Sequence, residues 1–218
     1  MGILSAQQKR FLALFGESKI AKEFYLTGGT ALAEFYLQHR YSEDLDFFSE
    51  IEIDPLSIDA FLKSIQSDLG FIKVDSQQSF NRNLYFLHFP NKEILKTEFT
   101  FFPFAPIEKG AVKNGVHIDS LLDIAVNKLF TIYQRTKARD YIDLYMLCRE
   151  KGFTIADLIK NAKIKFDWHI DPLQLGTQFL KATTAEDYPR LLIELKPQEW
   201  QNWFQGQAKL FQRDILTK

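Results

Sequence analysis

Cys148 is the single cysteine among 218 residues, so no disulfide can close within the chain, and a metal site built from cysteines alone is excluded. Such usage suits a reducing cytoplasm. No stretch approaches the ~20 apolar residues of a membrane helix. The opening MGILSAQQKRFLALF lacks the long apolar segment and small-residue cleavage site of a signal peptide. The expectation is a cytoplasmic protein with no membrane partner. Neither sign of charge is in excess: 27 Lys and Arg against 28 Asp and Glu give a net charge of −1. Binding of nucleic acid would therefore need a local basic patch. Internal repeats, low-complexity tracts and long linkers are also missing, so nothing separates the chain into tethered pieces.

What is present is globular in character. Hydrophobic residues make up 46% and aromatics 15%, and the 21 phenylalanines follow no repeating motif, which reads as core filling. Ser5-Ala-Gln-Gln8 has the form of a capping box, with Phe11, Leu12, Leu14 and Phe15 at helical spacing behind it. Residues 23–26 read as a strand ending at Thr27-Gly28-Gly29, residues 30–39 as a helix and residues 45–49 as a second strand. Asp54-Pro55 starts a helix that stops at Leu69-Gly70. Residues 71–76, 83–90 and 94–102 are extended, and 113–118 forms one last short strand. Beyond Asp119 the spacing is helical throughout. The pattern predicts an α+β fold: a mixed β-sheet flanked by helices over residues 1–118, then a C-terminal helical domain over 119–218, packed together around a shared site.

Gly28-Gly29-Thr30 opens the second helix. N–H groups and the helix dipole welcome a phosphate at such a place, glycine lets the backbone approach closely, and the threonine hydroxyl adds a donor. A tight turn needing φ > 0 accounts for the same glycines without a ligand. Asp44 and Asp46 are two residues apart, so on a strand their side chains share one side, roughly 7 Å apart, with Leu45 and Phe47 on the other. Two carboxylates so placed suit a pair of Mg²⁺ ions that neutralise a triphosphate and clamp the attacking and leaving oxygens. An acidic loop-to-strand junction is the plainer alternative.

In the long alternating strand Ile94, Lys96, Glu98 and Thr100 share the more polar face, which makes Glu98 the choice for third metal ligand or base. An exposed Lys-Glu stripe would look the same. Lys128 shares its helical spacing with Leu121, Ala125 and Ile132, so it interrupts an apolar stripe and needs an anionic partner, with a β- or γ-phosphate as candidate. Arg135, Lys137 and Arg139 follow, and Arg139 with Asp143 has the i, i+4 spacing of an ion pair. His39 ends the second helix as a cap, while Arg40 and Ser42 approach the aspartate pair, where they would touch phosphate or fix the loop. His88, His117 and His169 have no metal spacing.

Three blocks, GGTAL from Gly28, HRYSEDLDFF from His39 and NKLFTIYQRTKARDYIDLY from Asn127, together resemble the AbiEii/AbiGii-type nucleotidyltransferase toxins of the DNA polymerase β-like superfamily. The resemblance spans about residues 25–145. It implies a minimal nucleotidyltransferase fold, an NTP substrate and Mg²⁺ or Mn²⁺. It further implies transfer of a nucleoside monophosphate to a tRNA, another RNA or a protein, and neutralisation by a cognate antitoxin. By position, Gly28, Gly29 and Thr30 match the phosphate-binding motif and Asp44 and Asp46 the metal pair. Lys128 and Asp140 match the helical motif, for which triphosphate contact and catalytic support are implied. At Glu98 the family more often has Asp. Two rivals remain at this level: an antibiotic-modifying nucleotidyltransferase, and a non-catalytic protein of the same fold that acts by binding a partner. The basic cluster from Lys128 to Arg139 favours RNA over an aminoglycoside.

Overall fold

In the computed structural model, which describes residues 2–216, the Ser5 hydroxyl accepts from Gln8 N and Gln8 Oε1 accepts from Ser5 N. This reciprocal cap starts α1 (Ala6–Gly16), and a 3₁₀ turn (Lys19–Glu23) then leads into β1 (Tyr25–Thr27). The expected continuous helix over 30–39 is instead α2 (Gly28–Leu32) followed by a π-helical turn (Ala33–Leu37), with Gln38 at φ 52 beyond it. Next come β2 (Leu45–Ser49) and α3 (Pro55–Leu69), the latter capped by Asp54 and stopped by Gly70 at φ 83. Strands β3 (Lys73–Ser79), β4 (Arg82–His88) and β5 (Ile94–Phe101) follow. In place of one last strand there is a hairpin, β6 (Ala111–Lys113) and β7 (Val116–Ile118). Its Asn114-Gly115 turn has φ 49 and φ 77, the positive pair that a two-residue turn between twisted strands requires.

The seven strands form one mixed sheet in the order β3-β4-β5-β2-β1-β7-β6. β2 runs parallel to β5 and β1 parallel to β7, and the other pairings are antiparallel. Period-2 alternation divides the sheet into two chemically distinct faces. Phe47 and Phe99 point to one face, where Phe11 and Phe15 of α1 and Phe61 of α3 close over them. Phe15 and Phe47 lie 4.3 Å apart, Phe47 and Phe99 stack at 5.1 Å, and Phe11 meets Phe61 edge-on at 5.8 Å. Each buried phenylalanine contributes about 1.5–3 kcal/mol, so this cluster seats the sheet on its helices. The opposite face carries Asp46, Phe48, Lys96, Glu98, Thr100 and Arg82.

By internal contacts the chain divides into two compact units: residues up to Tyr36 with Tyr41–Ser120, and Leu37–Arg40 with the chain from Leu121 onward. The second unit is built from α4 (Leu121–Gln134), α5 (Ala138–Lys151), α6 (Ile155–Phe166), α7 (Pro172–Leu180) and α8 (Pro197–Leu216). Its core holds Tyr141, Phe179, Trp200 and Phe204, and Phe130 stacks on Phe166 at 4.2 Å. Lys165 and Asp123 form a buried ion pair at 2.6 Å. None of the described helices is long and apolar enough to cross a membrane.

Candidate active site

The turn from β1 into α2 bends through Gly28 at φ 71, a conformation that favours glycine. A second reason for glycine comes from across the sheet, where Asp46 Oδ2 would lie 2.7 Å from any Cβ at that position. Thr27 does not cap α2, because its hydroxyl donates to Asp119 Oδ2 at 2.6 Å. The Thr27 side chain therefore does not cap the first-turn N–H groups of α2. Thr30 departs from expectation. It is buried, and its hydroxyl donates to the Asp44 carbonyl, fixing the aspartate loop instead of reaching for a phosphate.

That loop is also pinned from α1. Gln8 Nε2 donates to the carbonyls of Ser42 (3.1 Å) and Glu43 (2.9 Å), so the amide that closes the capping box also holds the approach to Asp44. Of the two roles expected for Ser42, fixing the loop is the one its backbone performs. Asp44 and Asp46 are both half-buried, and Lys96 Nζ lies 2.8 Å from Asp44 Oδ2. Asp46 is the register partner of Glu98 on the neighbouring strand, which places the two carboxylates side by side on one face.

Glu98 is clamped. Its Oε1 accepts from Arg82 Nε at 2.6 Å and from Thr100 Oγ1 at 2.7 Å, and its Oε2 accepts from Arg82 Nη2 at 2.6 Å. Burial pushes this carboxyl up, but the hydrogen bonds from Arg82 and Thr100 outweigh it and hold the group below its ordinary value. A general base near neutrality needs the opposite shift, and a metal ligand needs an oxygen not already taken by a guanidinium. Neither role expected for Glu98 matches these contacts. Among the described residues no group of three or more His, Cys, Asp and Glu side chains is gathered as a metal site. The donor chemistry of Asp44 and Asp46, hard carboxylate oxygens, fits a hard divalent cation at that pair, which would compete with Lys96 for Asp44 Oδ2. Cys148 offers no alternative nucleophile, since burial pushes its thiol up to about 12.

In the helical unit the expected residues meet one another. Lys128 Nζ lies 2.8 Å from Asp140 Oδ1 and 2.6 Å from Asp143 Oδ2. Arg40 donates from Nε (2.6 Å) and Nη2 (2.8 Å) to the two oxygens of Asp143, His39 Nε2 is 2.8 Å from Asp143 Oδ1, and Arg135 reaches Asp140 at 3.0 Å. Arg40, expected to touch phosphate or fix the loop, has its guanidinium on the buried Asp143. His39, expected as a helix cap, is fully buried, and its Nδ1 has no hydrogen-bond partner among the described residues. Arg139 pairs with Asp187 at 3.3 Å, so the anticipated i, i+4 bridge to Asp143 is not formed. Burial pushes Asp143 up, but Arg40 and Lys128 hold it well below the usual carboxylate range. Lys128 is pulled down by burial and raised, on balance, by Asp140 and Asp143.

Comparison with known proteins gives this arrangement a family. Residues 10–213 match the family described as "Nucleotidyl transferase AbiEii toxin, Type IV TA system". A protein of Aquifex aeolicus (strain VF5), "Uncharacterized protein aq_aa25", is 33% identical over 167 residues, spanning 75% of this chain and 76% of that protein. Among solved structures, JHP933 from Helicobacter pylori superposes with a TM-score of 0.61 at 23% identity, covering 98% of this chain and 95% of its own. MenT4, a nucleotidyltransferase toxin from Mycobacterium tuberculosis H37Rv, does so with a TM-score of 0.52 at 12% identity, covering 95% and 86%. These two likenesses establish the nucleotidyltransferase fold, and the match over residues 10–213 goes further. The chain belongs to the nucleotidyl transferase AbiEii toxin family.

Proposed function

We propose that this nucleotidyltransferase moves a nucleoside monophosphate from an NTP to a hydroxyl of an RNA acceptor, tRNA foremost, and releases pyrophosphate. The observation that carries the reading is the contact between the Gly28 turn and Asp46. A turn suited to phosphate abuts a carboxylate suited to a cation, on a sheet face that also carries Lys96, Glu98, Thr100 and Arg82. Asp44 and Asp46 would hold Mg²⁺ or Mn²⁺, which supplies neutralisation of the triphosphate and activation of the attacking oxygen.

The chain's own groups do the rest. N–H groups of Gly28, Gly29 and Thr30 receive phosphate oxygens, while Thr30 and Gln8 keep the Asp44 loop in place. The acceptor hydroxyl oxygen bonds to the α-phosphorus and gives up its proton to solvent as the bond to the bridging oxygen breaks, and the electron pair leaves with pyrophosphate. For Lys128 and Asp140 we carry forward the implied triphosphate contact and catalytic support. Lys128 donates to Asp140 Oδ1 and forms an ion pair with Asp143. The family's toxin–antitoxin character makes a cognate antitoxin the natural partner.

Pyrophosphate release tests the reading. Purified protein given each NTP, bulk tRNA and Mg²⁺ or Mn²⁺ should release pyrophosphate with at least one NTP, and chelation should abolish it. No release under any combination would leave a partner-binding role as the better account.

A further inference from the structure

The β3–β4 hairpin breaks a local rule. Ser79 and Arg82 are register partners, so Phe80 and Asn81 make a two-residue turn. Phe80 sits at φ 48, in the left-handed region that the first position of such turns demands and that glycine, asparagine or aspartate fills with least strain. An aromatic side chain there is strained, and it gains nothing by burial, because Phe80 is 100% exposed. The turn beneath it is firmly held. Asn81 Nδ2 donates to the Phe101 carbonyl and the Asn81 carbonyl accepts from Phe101 N, each at 2.8 Å.

Arg82 begins the strand that leaves this turn. Glu98 takes its Nε–H and one Nη2–H, which locks the guanidinium plane in place. Of its five N–H donors, the other three have no hydrogen-bond acceptor among the described residues, and the side chain is 49% exposed. Its charge lies within electrostatic reach of Asp46.

Strand order then separates two flanks of Asp46. The Gly28 turn lies on the β1 side, next to Thr27, the partner of Asp46, whereas Glu98 and Arg82 lie on the β5 and β4 side. Along the strands the hairpin tip lies past the Phe101 end of β5, away from the Gly28 turn. By strand spacing Phe80 is ~10 Å across and ~10 Å along from Asp46. Leaving and attacking oxygens stand at opposite ends of an in-line displacement. With pyrophosphate at the Gly28 turn, the Arg82 flank belongs to the acceptor.

We propose that the β3–β4 hairpin is the acceptor arm of the enzyme: Arg82 takes a backbone phosphate of a nucleic-acid acceptor, and Phe80 stacks on a base upstream of its reacting end. The proposal rests on the nucleotidyl-transfer reading of the neighbouring site. A planar guanidinium suits a phosphate, and an exposed ring suits any base, so the contact selects nucleic acid over protein without selecting sequence. Glu98 is then a positioning residue that acts through Arg82.

The test is retention of labelled bulk tRNA by the full chain without NTP, beside binding of labelled NTP and thermal unfolding. Phe80→Gly relieves the strained turn, so its Tm should equal or exceed wild type while tRNA affinity falls at least about fivefold, and Phe80→Trp should restore affinity. Arg82→Gln combined with Glu98→Gln, which leaves no buried charge unpaired, should lose affinity to a similar degree. NTP affinity should stay within about twofold in every variant. Less than a fivefold loss in either the glycine or the double variant overturns the proposal. So does a wild type that retains no tRNA, or variants that lose a bound protein while keeping tRNA. Absence of NTP binding by wild type would instead fail the underlying transfer reading, which separates the two.

Discussion

A methyl group on Gly28 would sit 2.7 Å from Oδ2 of Asp46. The Gly28 turn and the Asp46 carboxylate are thus packed against each other. Gly28→Ala meets both this clash and the φ 71 backbone, so a destabilisation of about 1–2 kcal/mol is expected. Label transfer should fall by more than that loss of stability explains. Thermal unfolding and transfer rates on the same preparation check this; a variant with wild-type transfer would show that the turn does not serve the site.

Gln8 joins the capping box of α1 to the loop before Asp44. Gln8→Ala removes both contacts and should lower stability by about 1–2 kcal/mol. Gln8→Glu keeps the carboxylate-type acceptor for Ser5 N but cannot donate to the Ser42 and Glu43 carbonyls. The glutamate variant should therefore retain more of the helix cap while still weakening metal-dependent activity, measured by Mg²⁺ titration of transfer.

The buried ion pairs of the helical unit define a pH window. Asp140 and Asp143 are held below the ordinary aspartate value, so their stabilisation is full above it and is lost as pH falls through their folded values. Lys128 is raised, so its contribution is full below the ordinary lysine value and is lost as pH rises through the folded one. Denaturant unfolding should give a stability plateau from about pH 5 to about 9, falling on both sides. In Asp143→Asn the acid-side slope should be shallower.

Lys128→Ala leaves Asp140 and Asp143 facing each other without their shared cation. Removing one partner from a buried cluster of this kind costs about 3–5 kcal/mol. Chemical denaturation should report that loss. A drop below about 1 kcal/mol would mean that Arg40 and Arg135, which already pair with Asp143 and Asp140, suffice to hold the two carboxylates.

Much of the fold was legible because its signals are local. The Ser5/Gln8 cap, the Asp54-Pro55 start, the Gly70 stop and the alternation through β5 each lie within a few residues of the structure they specify. The Asn114-Gly115 turn was equally local and splits what reads as one strand. The π-helical turn after α2 left no comparable mark. Among the candidate site residues, the positive φ at Gly28 and the strand that carries Asp46 were readable from spacing. What Glu98, Arg40 and Asp143 do was not. Their partners are fixed by cross-strand register or by contacts more than a hundred residues away in sequence, as between Arg40 and Asp143, and no periodicity encodes those. Lys128 shows the limit from the other side. Its apolar surroundings correctly demanded an anion, but two aspartates of its own unit meet that demand.

Transfer of label from an α-labelled NTP to bulk tRNA, in Mg²⁺, by wild type and by Asp46→Asn, tests the central claim most directly. Asp46 sits against the Gly28 turn and beside Glu98, so the asparagine variant should keep the fold, with Tm close to wild type, and lose transfer by at least about a hundredfold. Wild type should label tRNA with at least one NTP. Equal labelling by wild type and Asp46→Asn, or none by wild type with any NTP, would contradict the account.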